Sequence, residues 1–515
     1  MTNNLNLLNT DEFFQSSDPT LNKDVVTLID KFTQEIVNYI KTSTWIDGTP
    51  MDDSKTDQAI YRKKNSEYYA REVIYNEDII NVKWFGAKGN LDEGDAGGDD
   101  TASFINAIKA GAKLFPSRQD SNSKFGGFTL YIPNGKYKLT KTLELPHNTT
   151  LLGESKKGVI LHQHANISEN LLPRANVTNI TGTSGNNVLM SESIVIRNIT
   201  FSQGGIVLQG AYDSIIDDVT VTRLLGDATD AYDNKSSTGL SIKLAVNLKI
   251  SNFKVFGSNG IGILYEDSAG SGPSTTVTFR NIWLSNCETG MLINGLLTDS
   301  HGIQTTWIQN SIFEYNKTGV EIKGITQNLS LRDIHFEQNK NYALLASESA
   351  SFSLDNIWAD GSLINNNKFL IKYTSNLTAD NIVHLKNLFI KSDFLIEDQY
   401  KGQIYVDGLV NNLKYYDQNI RIYKTFDDIG NINKRPFSPI AGYHFYNTSN
   451  SKPEFFDGGS WRNADGMNAD IKRSGTTAAR PTGSLDPGFR YFDLDLGIPV
   501  YWKGTQWVKA DGAPV

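Results

Sequence analysis

Three acidic residues, Glu314, Glu337 and Asp360, hold the same place in a six-residue phrase that returns along the middle of the chain. The phrase reads apolar, any residue, Asn or Asp, apolar, any residue, apolar. In these three copies it starts at Ile308, Leu331 and Leu354, a step of 23 residues. With the first residue numbered zero, the acids lie at position 6. Copies stacked as neighbouring parallel strands would set them in an outward column, with separations of roughly 5 Å for one step and roughly 10 Å for two. Those separations bracket the carboxylate spacings of retaining (about 5–5.5 Å) and inverting (about 6.5–9.5 Å) glycosidases. Like charges this close raise the proton affinity of one member, which is what a general acid needs.

Position 4 adds a ridge beside the acids: Trp283, Ile312, His335, Trp358 and Phe389 in five successive copies. Sugar rings present apolar C–H faces that pack on indole, while acids and amides bond their hydroxyls. Position 1 supplies Arg280, Gln309, Arg332 and Lys386, and the cations among them, Arg280, Arg332 and Lys386, could hold the carboxylate of an acidic sugar. A second group lies in the inserts just before these copies: Glu266 and Asp267 ahead of a GSGPS run, and Asp299 with His301. Any one of these residues has a plain alternative reading. An outward acid on a strand is ordinarily just solvated, His335 can be a surface histidine, and Trp283 and Trp358 can pack under loops or against another subunit. The chemical reading rests on the acids and rings falling in register.

What must position them is the repeat itself. Other copies start at Ile196, Ile216, Ile250, Phe279 and Leu385. Between them lie second strand-like runs, often opened by glycine, at 205, 239, 260, 290 and 319, and then at 342 and 369. A unit of this size cannot bury its apolar face alone, so stacked neighbours must complete it, as in a solenoid. Positions 0, 3 and 5 are expected inside, and the Asn or Asp at a bend where its side chain can bond the backbone. The single cysteine, Cys287, follows a strand-like phrase and reads as a buried, inert thiol.

Residues 1–80 read differently. Val25, Leu28, Ile29, Phe32, Ile36, Val37 and Ile40 follow helical spacing, with Asn22 or Asp24 as a cap, which predicts an N-terminal helix in an attachment or oligomerisation segment. A further helix is predicted after Asp99-Asp100, with Ala102, Ile105, Ile108 and Ala112 on its apolar face. The C-terminal part carries another repeat: residues 442–466 align without gaps to 488–512 at an offset of 46, Trp461 matching Trp507. Each unit reads as a three-stranded meander, too small to make its own core and therefore expected to pack on another copy or subunit. Its tryptophans read as packing residues rather than sugar platforms.

The order of motifs from residue 82 carries a family resemblance. VKWFGAKGN is followed by GGDDTASFINAI, YIPNGKYKL and LLGES. This sequence of features resembles the pectate-lyase-like family, and more closely the entry to the β-helix of bacteriophage tailspike depolymerases. The resemblance implies an all-β chain: a right-handed parallel β-helix over 81–420, between the N-terminal segment of 1–80 and the hairpin repeats of 421–515, assembled as a homotrimer. It further implies a virion tail protein, made in the host cytoplasm, that acts extracellularly on a bacterial surface polysaccharide such as capsule and joins other tail or baseplate proteins through its N-terminal segment. Hydrolysis by the paired carboxylates is the expected reaction. β-Elimination on a uronic-acid polymer, with Arg332 and His335 as candidate groups, and non-catalytic glycan adhesion stand as alternatives.

Composition narrows the partners. Forty-nine Lys and Arg against 57 Asp and Glu leave a net charge of −8, without the basic footprint of a nucleic-acid binder. No run of about 18 apolar residues predicts a membrane span, and the first residues do not read as a secretory signal. One cysteine excludes multi-cysteine zinc and CxxC redox chemistry, and the Gly-Gly-Asp-Asp run offers too few oxygens for calcium, so no metal and no cofactor are expected.

Overall fold

A computed structural model describes residues 7–92, 97–115, 127–163, 174–175, 178–181, 187–222, 238–257, 260–267, 274–295, 302–347, 350–360, 368–372, 382–391, 394–396, 403–410, 413–415, 421–424, 428–430, 435, 441, 443–447, 452–463, 474–482, 485 and 487–515. They form two compact units, 1–404 with 409–421 and 405–408 with 422–515.

The first unit is a parallel β-helix. The phrases run along one long sheet and the glycine-opened runs along a second. The phrase strand Ile303–Glu314 pairs in parallel with Thr326–Glu337, and that strand with Ala350–Ala359, which in turn pairs with Ile382–Ile390. In the second sheet Ile261–Glu266, Thr289–Gly295, Thr318–Gly324 and Tyr342–Ser347 stack in the same order. Chain connections between parallel strands of one sheet are right-handed in nearly all proteins, and this coil is a right-handed parallel β-helix.

Positions 0, 3 and 5 line the inside, as in Phe279, Ile282 and Leu284, or Leu331, Ile334 and Phe336, all essentially without solvent contact. The polar residue at position 2 explains how three inward positions can be spaced 0, 3, 5. In an unbroken strand, inward positions would be two apart. Here Asn198, Asp218, Asn252, Asn281, Asn310, Asp333, Asn356 and Asn387 all have φ between 50° and 58°. This left-handed conformation is the one that Asn and Asp tolerate best among residues with a Cβ. One such residue turns the strand and resets its alternation. The side chains then link along the axis: the Asn281 amide donates to Asn252 Oδ1 at 2.6 Å and the Asn356 amide to Asp333 Oδ1 at 2.6 Å.

The glycines that open the second-sheet strands serve close approach. A Cβ on Gly239, Gly262 or Gly290 would meet a carbonyl oxygen of the next coil at 2.7, 2.5 and 2.5 Å. Inside the corner that leads from the phrase strands into these strands runs an asparagine ladder, hidden in the sequence. Asn316 Oδ1 accepts the Cys287 N–H at 2.9 Å, its amide donates to the Leu284 carbonyl, and Asn339 Oδ1 accepts the Asn316 N–H at 3.2 Å. Cys287 is buried at the head of this ladder.

The expected helix over 25–40 is instead an antiparallel hairpin, Val25–Ile29 with Ile36–Thr42, in a four-stranded sheet completed by Tyr61–Lys64 and Glu67–Arg71. The i, i+3, i+4 spacing was misleading because Asp30 and Gln34 form the turn: Asp30 accepts the Phe32 and Thr33 N–H groups, and Gln34 has φ 60°. Alternation then buries Val26, Leu28, Val37 and Tyr39 against Phe13 and Phe14, while Val25 and Ile36 stay exposed. The N-terminal helical segment is the short helix Thr10–Gln15, closed by a capping box of Asn9 and Glu12.

The second predicted helix spans Thr101–Leu114, but its buried face is Phe104, Ala107, Ile108, Gly111 and Leu114, and Ala102 is exposed. Large Phe104 outweighs small Ala102, and Gly111 admits Phe128, which a Cβ there would meet at 2.4 Å. Asp99 accepts the Thr101 N–H, whereas Asp100 reaches back to the N–H groups of Lys88 and Gly89. Asp100 thus pins the Phe-Gly-Ala-Lys-Gly entry to the helix start, and both aspartates are committed to backbone.

In the second unit the two C-terminal repeats have one topology. Each adds a strand ahead of the expected three: Asp428–Gly430 pairs in parallel with His444–Asn447, and Ser474–Gly475 with Arg490–Asp493. The offset of 46 therefore extends back to Asp428 and Ser474. With four strands each unit does bury a small core of its own. Trp461 packs with Tyr443 and Phe445, and Trp507 lies against Phe489, Tyr491 and Val500. Among the described residues no helix is long and apolar enough to cross a membrane.

Candidate functional site

The register sets the expected residues side by side. Glu314 is the direct neighbour of Glu337, Ile312 of His335, and His335 of Trp358, which neighbours Phe389. Asp360 follows the Phe336–Ala359 pair, its N–H donating to the Phe336 carbonyl, so it continues the column. Outward side chains alternate along these strands: Glu314 and Glu337 are half-buried, Trp358 is 38% exposed and Phe389 47%.

Contacts within the strip separate the three acids. The Trp283 indole N–H donates to Glu314 Oε1 at 2.9 Å, a diagonal contact between adjacent coils. The Trp283 ring is enclosed by Phe256, edge-on at 5.2 Å, and by Lys254 Nζ at 4.7 Å from its centre. It therefore buttresses a carboxylate rather than offering a free face. Glu337 Oε2 lies 3.6 Å from His335 Nε2, beyond hydrogen-bond length, and Trp358 meets the His335 ring edge to face at 4.2 Å. Asp360 pairs with Lys391 at 3.3 Å, and the same ammonium lies 5.5 Å from the centre of the Trp358 ring. Lys391 is position 6 of the copy starting at Leu385, so the column reads Glu, Glu, Asp, Lys. The repeat spacing alone sets this cation in register with the acids.

Arg280 and Arg332 lie on the other side of the left-handed bend from the ridge. Arg332 is exposed, 3.5 Å from Asp333 and 3.8 Å from Asp355, its neighbour in the next coil. Glu266 belongs to the second sheet, where it accepts the Asn294 amide at 3.2 Å and lies 3.9 Å from Lys243; Asp267 beside it is buried. Those two do not join the column. Asp299 and His301 lie outside the described residues.

The first unit is thus a parallel β-helix that carries an outward strip of acids and rings in register. Residues 79–387 match the rhamnogalacturonase A/epimerase, pectate lyase-like family, and the chain belongs to it. The preneck appendage protein of Bacillus phage PZA and the pre-neck appendage protein of Bacillus phage phi29 are each 24% identical over 284 residues, covering 52% of this chain. The chain spans 28% of the length of those relatives. Among solved structures, the enzymatically active domain of bacteriophage CBA120 tailspike protein 2 is 14% identical, with 81% of this chain and 56% of that one covered and a TM-score of 0.45. ORF18 of Geobacillus virus E2 is 14% identical over 98% of both chains, with a TM-score of 0.41.

Proposed function

We propose that this chain is a virion tailspike that binds and depolymerises a bacterial surface polysaccharide, capsule above all, by glycosidic hydrolysis. The family and the phage appendage relatives support a virion protein acting on a polymer of sugars. The observation that carries the mechanism is the register pair Glu314–Glu337, adjacent carboxylates of which one alone accepts the Trp283 N–H. Glu314, oriented by that bond, takes the part of nucleophile or base, and Glu337 beside His335 that of the general acid toward the leaving oxygen. A spacing of one coil, roughly 5 Å between strands, matches retention better than inversion. Asp360, neutralised by Lys391, holds the strip's edge, and Trp358 and Phe389 offer the open faces on which sugar rings pack.

The deciding experiment incubates the protein with a panel of purified capsules and weighs the released oligosaccharides. Products heavier by one water support hydrolysis; unsaturated products that absorb in the near ultraviolet overturn it in favour of elimination. Binding without any fall in viscosity overturns the enzyme and leaves an adhesin. Glu314→Gln and Glu337→Gln should each abolish release, and full activity in both would remove the pair from the mechanism.

A further inference from the structure

A cavity of about 700 Å³ opens between the N-terminal four-stranded sheet and the outer face of the helix Thr101–Leu114. Its size suits a small ligand of two or three rings. It is remote from the carboxylate column. The helix packs through Gly111 on Phe128, whose strand Phe128–Ile132 pairs with Thr149–Gly153, and six sheet steps separate that strand from Thr326–Glu337, about 30 Å at the usual strand spacing.

Its charge runs against that of the chain. Lys31, Lys55, Arg62, Lys63, Lys109 and Lys113 line it, against Asp11 and Asp57, in a protein of net charge −8. Acids hold most of these cations: Asp53, outside the lining, pairs with Lys63 at 2.6 Å and Asp52 lies 3.9 Å from Lys55, which leaves Lys109 and Lys113 as the lining cations without an ion pair among the described residues. Asp11 serves Lys31 at 2.5 Å and Arg62 at 3.2 Å together, and the Lys31 hydrogen bond leads in holding its carboxyl below the usual range. Asp57 is turned onto its own loop, where it accepts the N–H groups of Ala59 and Ile60, and burial pushes its pKa up. Lys109 is exposed and makes no ion pair among the described residues.

The walls are not those of a bare cation patch. Trp84 lines the cavity, is 8% exposed, and its indole N–H has no acceptor among the described residues. Its ring is fixed by Arg71, 4.0 Å away, which is itself paired with buried Asp30 at 2.8 Å. Phe32 and Phe85 add ring surface, Phe32 being 48% exposed, and Gln58 and Asn106 add amides. Rings, amides and surplus cations together match a ligand with apolar faces, hydroxyls and carboxylates.

We propose that this cavity is a second saccharide site, binding a short acidic segment of glycan independently of the column. The test is titration calorimetry of the full chain with tri-galacturonate, hyaluronan tetrasaccharide, neutral maltotriose and a glutamate-rich peptide. Expected is one acidic oligosaccharide bound per chain, weakened about tenfold or more by Lys109→Glu or Lys31→Glu, unchanged by Trp358→Ala, and no heat from maltotriose. Binding lost in Trp358→Ala but kept in Lys109→Glu would place the ligand on the column and overturn the second site. Tighter binding of the peptide would overturn the saccharide in favour of protein docking, and silence from both acidic sugars would overturn the site. Because the readout is binding, a failure of hydrolysis leaves this result unaffected.

Discussion

The hydrogen bond from Trp283 to Glu314 distinguishes two roles that the sequence merged. Both tryptophans at position 4 read as sugar platforms, yet one is spent on a neighbouring acid and the other stays open. Trp283→Phe leaves an aromatic ring beside Phe256 and Lys254 and removes the donor together with the pyrrole half of the indole. A hydrogen bond to a charged group contributes about 1.5–3 kcal/mol, so kcat should fall about 10- to 100-fold with KM nearly unchanged. Trp358→Ala should do the reverse, raising KM with a smaller effect on kcat. Steady-state kinetics on one capsule would separate them; equal effects on KM would return Trp283 to the substrate. The register of Glu314 with Glu337 was legible because both follow the regular 23-residue step. The Trp283 contact was not, since a diagonal bond depends on rotamers that spacing does not encode.

At the scale of the element, the phrase was legible as a solenoid strand, and its inward set was right. The left-handed residue at position 2 was legible only as a preference for Asn and Asp. The internal ladder of Asn316 and Asn339 was hidden, because a buried amide looks like a loop residue until its partners stack on it. Asn316→Ala would take one hydrogen-bond partner from each of the Cys287 N–H, the Leu284 carbonyl and Asn339 inside the coil. Each such loss costs about 1–3 kcal/mol, so denaturant unfolding should show a loss of at least about 3 kcal/mol. The first hairpin failed at this scale too: seven apolar residues fit a helix as well as a hairpin, and only the Asp30 turn decides between them. A titratable contact sits at another corner. His147 Nδ1 accepts the Glu192 N–H at 2.9 Å, and burial lowers the histidine pKa below its usual 6.5. With the folded pKa depressed, this contribution is complete above pH 6.5 and is lost as pH falls from there through the folded value. Melting temperature should therefore fall from about pH 6.5 downward, and His147→Asn, which keeps an acceptor at the same branch, should flatten that part of the curve. An unchanged slope would assign the acid loss to other groups.

For the whole molecule, the outstanding question is what covers the apolar side chains that each unit leaves in water. In the first unit the N-terminal sheet exposes Ile36 (70%) and Val25 (53%) on the face turned away from its own core. In the second, the turn after Arg490–Asp493 exposes Leu494 (61%) and Leu496 (44%), although Asp493 beneath it is fully buried and bound to Arg480 at 2.6 Å. A turn anchored that firmly has no need of two leucines, and exposed apolar clusters on an otherwise polar surface mark association sites. Closed cyclic symmetry buries such a patch once per subunit without leaving an open end. The expectation is a trimer, seen in light scattering as a particle of three times the 57.2 kDa chain mass. Leu494→Lys with Leu496→Lys should weaken it without unfolding either unit, because both side chains lie outside the Phe489, Tyr491 and Val500 core. Circular dichroism would verify the fold while light scattering at falling concentration follows dissociation. A particle of one chain mass for the unaltered protein would overturn the trimer, and an unaltered trimer in the double variant would move its interface to the N-terminal sheet, where Ile36→Lys is the matching test.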